Sequence, residues 1–325
     1  MTDAPAPPTR GDVFFSAAMH LRLLLRVDRM QAIRLAMRRA IRPGMRVLDA
    51  GCGSGILSFL ALEAGARHVV AIDRDNVELA QALARENGFD GRIDFLEADL
   101  TTLAPAAVPE PVDALMAFVY TNHIVTDEAR SALVFDLRRR FGTADCVTMP
   151  NRVSYRAIPC DWPEADAATE LADLSAAVGD MEHRYGLKFG ALLDAAGAEA
   201  MFERARPRVY GERKWQPGAS NGGYRHGRAG VRYLGERTPV ATFRYDTGGG
   251  FEPLPGQVTV PIAAPGTVTA VLWVQELWFD DMLLWSSESV SPAATPLPVR
   301  AGDRLTLALD ERWRATNLIA LEAGA

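Results

Sequence analysis

The sequence predicts two fused units. The first is a doubly wound, Rossmann-like α/β domain up to about residue 150; the second is an antiparallel β barrel or sandwich with a helical arm inserted near its start. Three features carry this. Residues 47–58 read Val-Leu-Asp-Ala-Gly-Cys-Gly-Ser-Gly-Ile-Leu-Ser, an apolar strand end running through a glycine loop into an apolar helix start. Strand and helix patterns then alternate as far as Pro150. From Val231 onward short strand patterns, parted by Gly and Pro turns, replace that alternation.

Taken in order, residues 1–10 are Pro-rich and polar and predict a disordered tail. Residues 11–150 form the first domain. Leu21, Leu24 and Leu25, then Ile33, Met37 and Ile41, recur at helical spacing, so one or two helices precede the loop and Pro43-Gly44 ends them. Strands are expected at 45–48, 68–72, 93–96, 114–119 and 146–149, and helices at 57–64, 77–85 and 128–140. Residues 151–325 form the second domain, with strands at 153–158, 240–245, 257–262, 268–277, 283–285 and 304–309 and an alanine-rich arm at 162–205.

The loop specifies its ligand by charge and spacing. Gly51, Gly53 and Gly55 let the backbone fold tightly and a ligand approach without a Cβ in the way. A dinucleotide fingerprint needs Gly-x-Gly-x-x-Gly, whereas here the third glycine comes one residue early and Ile56 takes its place. Asp49 sits where a pyrophosphate would be repelled. Asp73, at the end of the second strand and 22 positions past Gly51, is placed to accept hydrogen bonds from ribose hydroxyls. Asp99, after the third strand, is placed to accept from an adenine amino group. A zwitterionic nucleoside fits these groups: S-adenosylmethionine, with S-adenosylhomocysteine as product. Arg74 beside Asp73 and Phe118 near the end of the fourth strand belong to the same candidate set.

Whole-chain properties exclude several classes. A net charge of -6 over 325 residues gives no electrostatic case for nucleic acid. Three cysteines without paired spacing argue against a disulfide frame or zinc site and for a reducing, cytoplasmic setting, with Cys52 a small packing residue. The sequence has neither a signal peptide nor an 18-residue apolar run, so no membrane span is expected.

Beyond the glycine loop, the chain resembles the protein arginine N-methyltransferases. Their N-terminal helix pattern His-x-x-Met-Leu-x-Asp-x-x-Arg is matched by His20, Leu24 and Arg29. Val112-Asp113-Ala114-Leu115-Met116 resembles their fourth strand, and His183-Arg184-Tyr185-Gly186-Leu187 the close of their dimerisation arm. Leu277-Trp278-Phe279-Asp280 and Val299-Arg300-Ala301-Gly302-Asp303 resemble two turns of their barrel. The resemblance implies a class I methyltransferase with a barrel, a homodimer, and a role for Arg29 in holding the cofactor carboxylate. Two motifs depart. Of two clamping glutamates the first falls at Phe118 and the second at Asp127, beside Glu128, and the Thr-His-Trp motif has no counterpart in residues 289–298.

The expected reaction is methyl transfer to an amine or guanidine nitrogen of a small molecule or peptide. Acceptor-side candidates follow the fourth strand. His123 is the candidate base because imidazole titrates near neutrality. Tyr120 and Asn122 are placed to orient a nitrogen, Asp127 and Glu128 to contact substrate, and Phe15 to cover the acceptor. Residues 215–230, rich in Gly, Arg and aromatics, suit a loop attracting a carboxylate or peptide. The alternatives are a protein arginine methyltransferase with a rebuilt clamp, an O-methyltransferase, and a silent cofactor-binding module.

Overall fold

The computed structural model describes residues 20, 23–24, 26–75, 77–121, 124–162, 208–209, 231–316 and 319–324. The expected tail, nearly all of the 162–205 arm, the 183–187 segment and the 215–230 loop lie outside them.

The N-terminal half comprises α1 (Val27–Ala40), β1 (Arg46–Ala50), α2 (Ile56–Glu63), β2 (His68–Asp73), α3 (Val77–Glu86), β3 (Ile93–Glu97), β4 (Val112–Met116), α4 (Ile124–Phe141) and β5 (Gly142–Met149). Its strands form one parallel sheet in the order β3-β2-β1-β4-β5. Strands covered on both faces must be apolar throughout, and Val47, Leu48, Val69, Ala71, Ile72, Leu115 and Met116 are all buried. The order reverses between β1 and β4, which opens a crevice outside their carboxyl ends.

The C-terminal half comprises β6 (Arg152–Asp161), β7 (Arg208–Val209), β8 (Arg232–Tyr233), β9 (Thr238–Arg244), β10 (Gln257–Pro261), β11 (Gly266–Phe279), β12 (Met282–Val299), β13 (Arg304–Ala308), α5 (Glu311–Thr316) and β14 (Ala320–Ala323). Two antiparallel sheets result, β7-β12-β11-β6-β8 with β9 against β6, and β10-β13-β14. Among the described residues no helix is long and apolar enough to cross a membrane.

Several boundaries differ from expectation. β4 stops at Met116 rather than continuing to residue 119, which frees the backbone carrying Phe118 and Val119 to turn over the sheet. β12 runs through Pro292, Pro296 and Pro298, where residues 283–285 alone were expected. Proline cannot donate to a ladder, and the pairing register shifts between Val268 and Ala270, opposite this stretch. Finally, α4 begins at Ile124 rather than residue 128, so Asp127 lies within its first turn.

One apolar core runs through both halves, joining Met116 and Leu137 to Tyr155, Trp273 and Trp285. Polar pins supplement it. The Asn151 amide and the Asp280 turn exchange two hydrogen bonds. Ser291 Oγ accepts from the indole N–H of both Trp273 (2.7 Å) and Trp313 (3.0 Å), whose rings lie 5.5 Å apart.

Candidate active site

A cavity of about 400 Å³ opens at the carboxyl ends of β1, β2 and β4, within the size range of small-ligand sites. Gly51, Asp73, Asp99, Arg29, Phe118 and Arg130 contribute to its lining. The glycine loop shapes its floor. Gly51, Gly53 and Gly55 all have left-handed φ, at 78°, 53° and 79°. A Cβ on Gly53 would lie 2.2 Å from His20 Cε1, so only glycine lets His20 rest on the loop. Gly53 and Gly55 shape this cradle without lining the cavity.

Asp73 ties loop and strand together. Its Oδ2 accepts the Gly53 N–H at 2.7 Å and its Oδ1 the Asp75 N–H at 3.1 Å. Each carboxylate oxygen accepts more than one bond, so the group can also face hydroxyls in the cavity it lines. Arg74 lines the cavity and pairs with Asp75 at 3.2 Å. Asp99 lines it too, with Oδ1 accepting from the N–H and Oγ1 of Thr101. Arg29 lies over the rings of Phe118 (5.8 Å) and Trp285 (5.6 Å), bringing a barrel residue to the crevice.

Asp49 departs from the expected position. It lies one residue before the end of β1, fully buried, takes a hydrogen bond from Ser58 Oγ at 2.7 Å, and is absent from the cavity lining. Burial pushes its carboxyl up to about 7. It supports the loop from beneath.

The acceptor-side candidates separate. Asn122, His123 and Phe15 lie outside the described residues. The Tyr120 hydroxyl meets that of Tyr245, and burial raises its pKa well above the usual phenol range. Asp127 is fully buried: Oδ1 accepts from the N–H and Oγ1 of Thr121 (2.8 and 2.9 Å), and Oδ2 from Tyr155 and Gln275. Glu128 accepts the Leu254 N–H at 2.7 Å and pairs with Arg314. None of these three lines the cavity. The polar atoms of Asp127 and Glu128 join α4 to the barrel, and the Tyr120 hydroxyl meets the barrel's Tyr245.

Sequence reasoning missed two residues. Trp285 was read only as part of a strand. Arg130, three residues after Asp127, lines the cavity and donates to the Val119 carbonyl; its signal was a lone cation in the first turns of the helix behind the fourth strand. Among the described residues no group of three or more His, Cys, Asp or Glu is placed to hold a metal.

Residues 47–141 match the methyltransferase domain family. The chain is 32% identical over 162 residues to protein arginine N-methyltransferase PRMT10 of Oryza sativa subsp. japonica, a match covering 48% of this chain and 42% of that protein. It is 36% identical over 84 residues to ribosomal protein L11 methyltransferase of Legionella pneumophila (strain Corby), covering 26% and 28%. The chain thus spans less than half the length of these curated relatives. Among solved structures it is similar to the Trypanosoma brucei PRMT1 enzyme-prozyme heterotetrameric complex with AdoHcy, at TM-score 0.64 and 20% identity over 91% of this chain and 88% of that one. It is also similar to Arabidopsis thaliana protein arginine methyltransferase 10, at TM-score 0.60 and 19% identity over 90% and 87%. The chain carries a class I S-adenosylmethionine-dependent methyltransferase domain in an architecture like that of the arginine enzymes.

Proposed function

We propose that the protein is an S-adenosylmethionine-dependent N-methyltransferase acting on a nitrogen of a small molecule or peptide, in an arginine-methyltransferase-like frame. The observation that carries this reading is the cavity: it holds Asp73 and a left-handed glycine cradle, and Phe118 stands where the first clamping acid of the resembling family would be. The cradle and the acid pair suit S-adenosylmethionine. Asp73 would hold its ribose hydroxyls, Asp99 its adenine amino group and Arg29 its carboxylate. When bound, that cofactor supplies an electrophilic methyl group on a sulfonium.

The acceptor nitrogen must present a lone pair, aligned at about 3 to 3.5 Å. Its lone pair forms the new C–N bond, the C–S pair returns to sulfur, and the amine proton leaves. Positioning in a dry crevice can supply much of the rate. His123 is the proposed proton acceptor, with Asn122 orienting the nitrogen. Tyr120 and the paired carboxylates Asp127 and Glu128 serve better as braces for that loop, since each is occupied by a barrel partner. A homodimer, formed through the 162–205 arm as in the resembling family, belongs to the proposal.

The reading is tested by mass spectrometry of methyl transfer from labelled S-adenosylmethionine into two pools, arginine-rich protein and small amines with short peptides. Label in the small pool, reduced about tenfold or more in His123→Ala, is the expected result. Label confined to protein arginine would replace it with the rebuilt-clamp reading.

A further inference from the structure

We infer that Arg130 is a binding residue for a carboxylate on the methyl acceptor, so that the site selects zwitterionic or anionic amines and turns cationic guanidines away. The inference rests on the methyl-transfer reading above and names the acceptor class for that site.

It follows from the charges that face the crevice. A site for a guanidinium needs unpaired acid near the reacting end. Here Phe118 is apolar, and the nearest acids in sequence, Asp127 and Glu128, are spent on Thr121, Tyr155, Gln275, Leu254 and Arg314. Arg130 instead presents positive charge. Arg130 lines the cavity, and among the described residues its one hydrogen bond runs from Nη1 to the Val119 carbonyl, with no ion pair within 4 Å. Guanidinium carries five N–H donors in a planar fork, so most of its donors remain for a ligand.

The local electrostatics make that charge expensive unless something neutralises it. Burial disfavours the Arg130 cation most; Asp127 supports it and Arg74 opposes it. The cofactor does not supply the missing anion at this position. Its one carboxylate is assigned to Arg29, which lies against Phe118 and Trp285, and its sulfonium would be repelled by a second bare cation. An acceptor carboxylate forked on Arg130 would satisfy the open donors, neutralise the Arg130 charge and fix the amine relative to the methyl group.

Saturation-transfer NMR on the full chain, with and without S-adenosylhomocysteine, tests this with 4-aminobutyrate, hippurate and Gly-Phe. Each is measured beside its primary amide, with agmatine as the cationic probe. The expected result is that acids bind about tenfold or more tightly than their amides and that agmatine is excluded. Arg130→Met should abolish the preference, and Arg130→Lys should restore part of it, with the fold of both variants intact by circular dichroism. Equal or undetectable binding of acid and amide, or an unchanged preference in Arg130→Met, would overturn the inference. Loss of S-adenosylhomocysteine binding by the wild type would sink the methyl-transfer reading instead, and the acid-over-amide comparison without that ligand still judges Arg130.

Discussion

Asn151 holds Asp280 through both ends of its amide. Its Nδ2 donates to Asp280 Oδ1 at 2.8 Å, and its Oδ1 accepts the Asp280 N–H at 3.0 Å. Asp280 has φ 52°, a left-handed conformation that costs a non-glycine residue about 1 kcal/mol. The residue next to the first sheet's last strand thus stabilises the tip of the β11–β12 hairpin, whose strands are among the longest in the chain. Asn151→Ala removes both hydrogen bonds from the exposed Asp280 turn and should lower stability by about 1 kcal/mol in denaturant unfolding. Asp280→Gly relieves the backbone cost and should be milder than Asp280→Ala. Equal losses for the two would contradict the account.

Asp73→Ala should cost most of the cofactor affinity, about tenfold or more, with the fold intact. Calorimetry with S-adenosylhomocysteine reads the first quantity and circular dichroism the second. Unchanged affinity would remove Asp73 from the ribose site.

Gly53→Ala should also weaken cofactor binding, because its methyl would occupy the place of His20. The double variant His20→Ala/Gly53→Ala should recover part of the loss. If it binds no better than Gly53→Ala, backbone strain rather than collision is the cause.

Asp49 gives a pH signature. Its folded-state carboxyl is raised by burial to about 7 from an unfolded 3.8. The native state therefore holds the proton longer, and this group's contribution falls as pH rises from about 4 to about 7 and is level above. The span is on the order of 4 kcal/mol. Asp49→Asn keeps an acceptor for Ser58, so the difference in unfolding free energy, variant minus wild type, should grow across that window. A pH-independent difference would refute the shift.

Glu128 and Arg314 join α4 to α5 across the two halves, with side chains 11% and 22% exposed. Removing either partner alone should cost about 2–3 kcal/mol, and removing both less than the sum. Additive losses in a double-mutant cycle would show that the pair contributes no coupling.

Local necessity decides what could be read from the sequence. The glycine loop and Asp73 were legible because a left-handed backbone restricts residue type at fixed spacing. The strands of the parallel sheet were legible because burial on both faces forces apolar runs. The fates of Asp127 and Glu128 were not, since their partners Gln275 and Arg314 stand 148 and 186 residues away. A carboxylate spent on a barrel side chain looks, in sequence, like one facing substrate. Arg130 escaped for the same reason: its meaning depends on what the neighbouring acids are already doing. The length of β12 was hidden by three prolines that ordinarily end strands and here lie beside a register shift.

The double acceptance by Ser291 also limits the order in which this protein can change. Replacing Ser291 first would strand two buried indole N–H groups at once, whereas replacing either tryptophan by phenylalanine strands none. Lineages descending from this chain should therefore pass through loss of a tryptophan before they lose the serine, and those retaining both indoles should keep a hydroxyl at position 291.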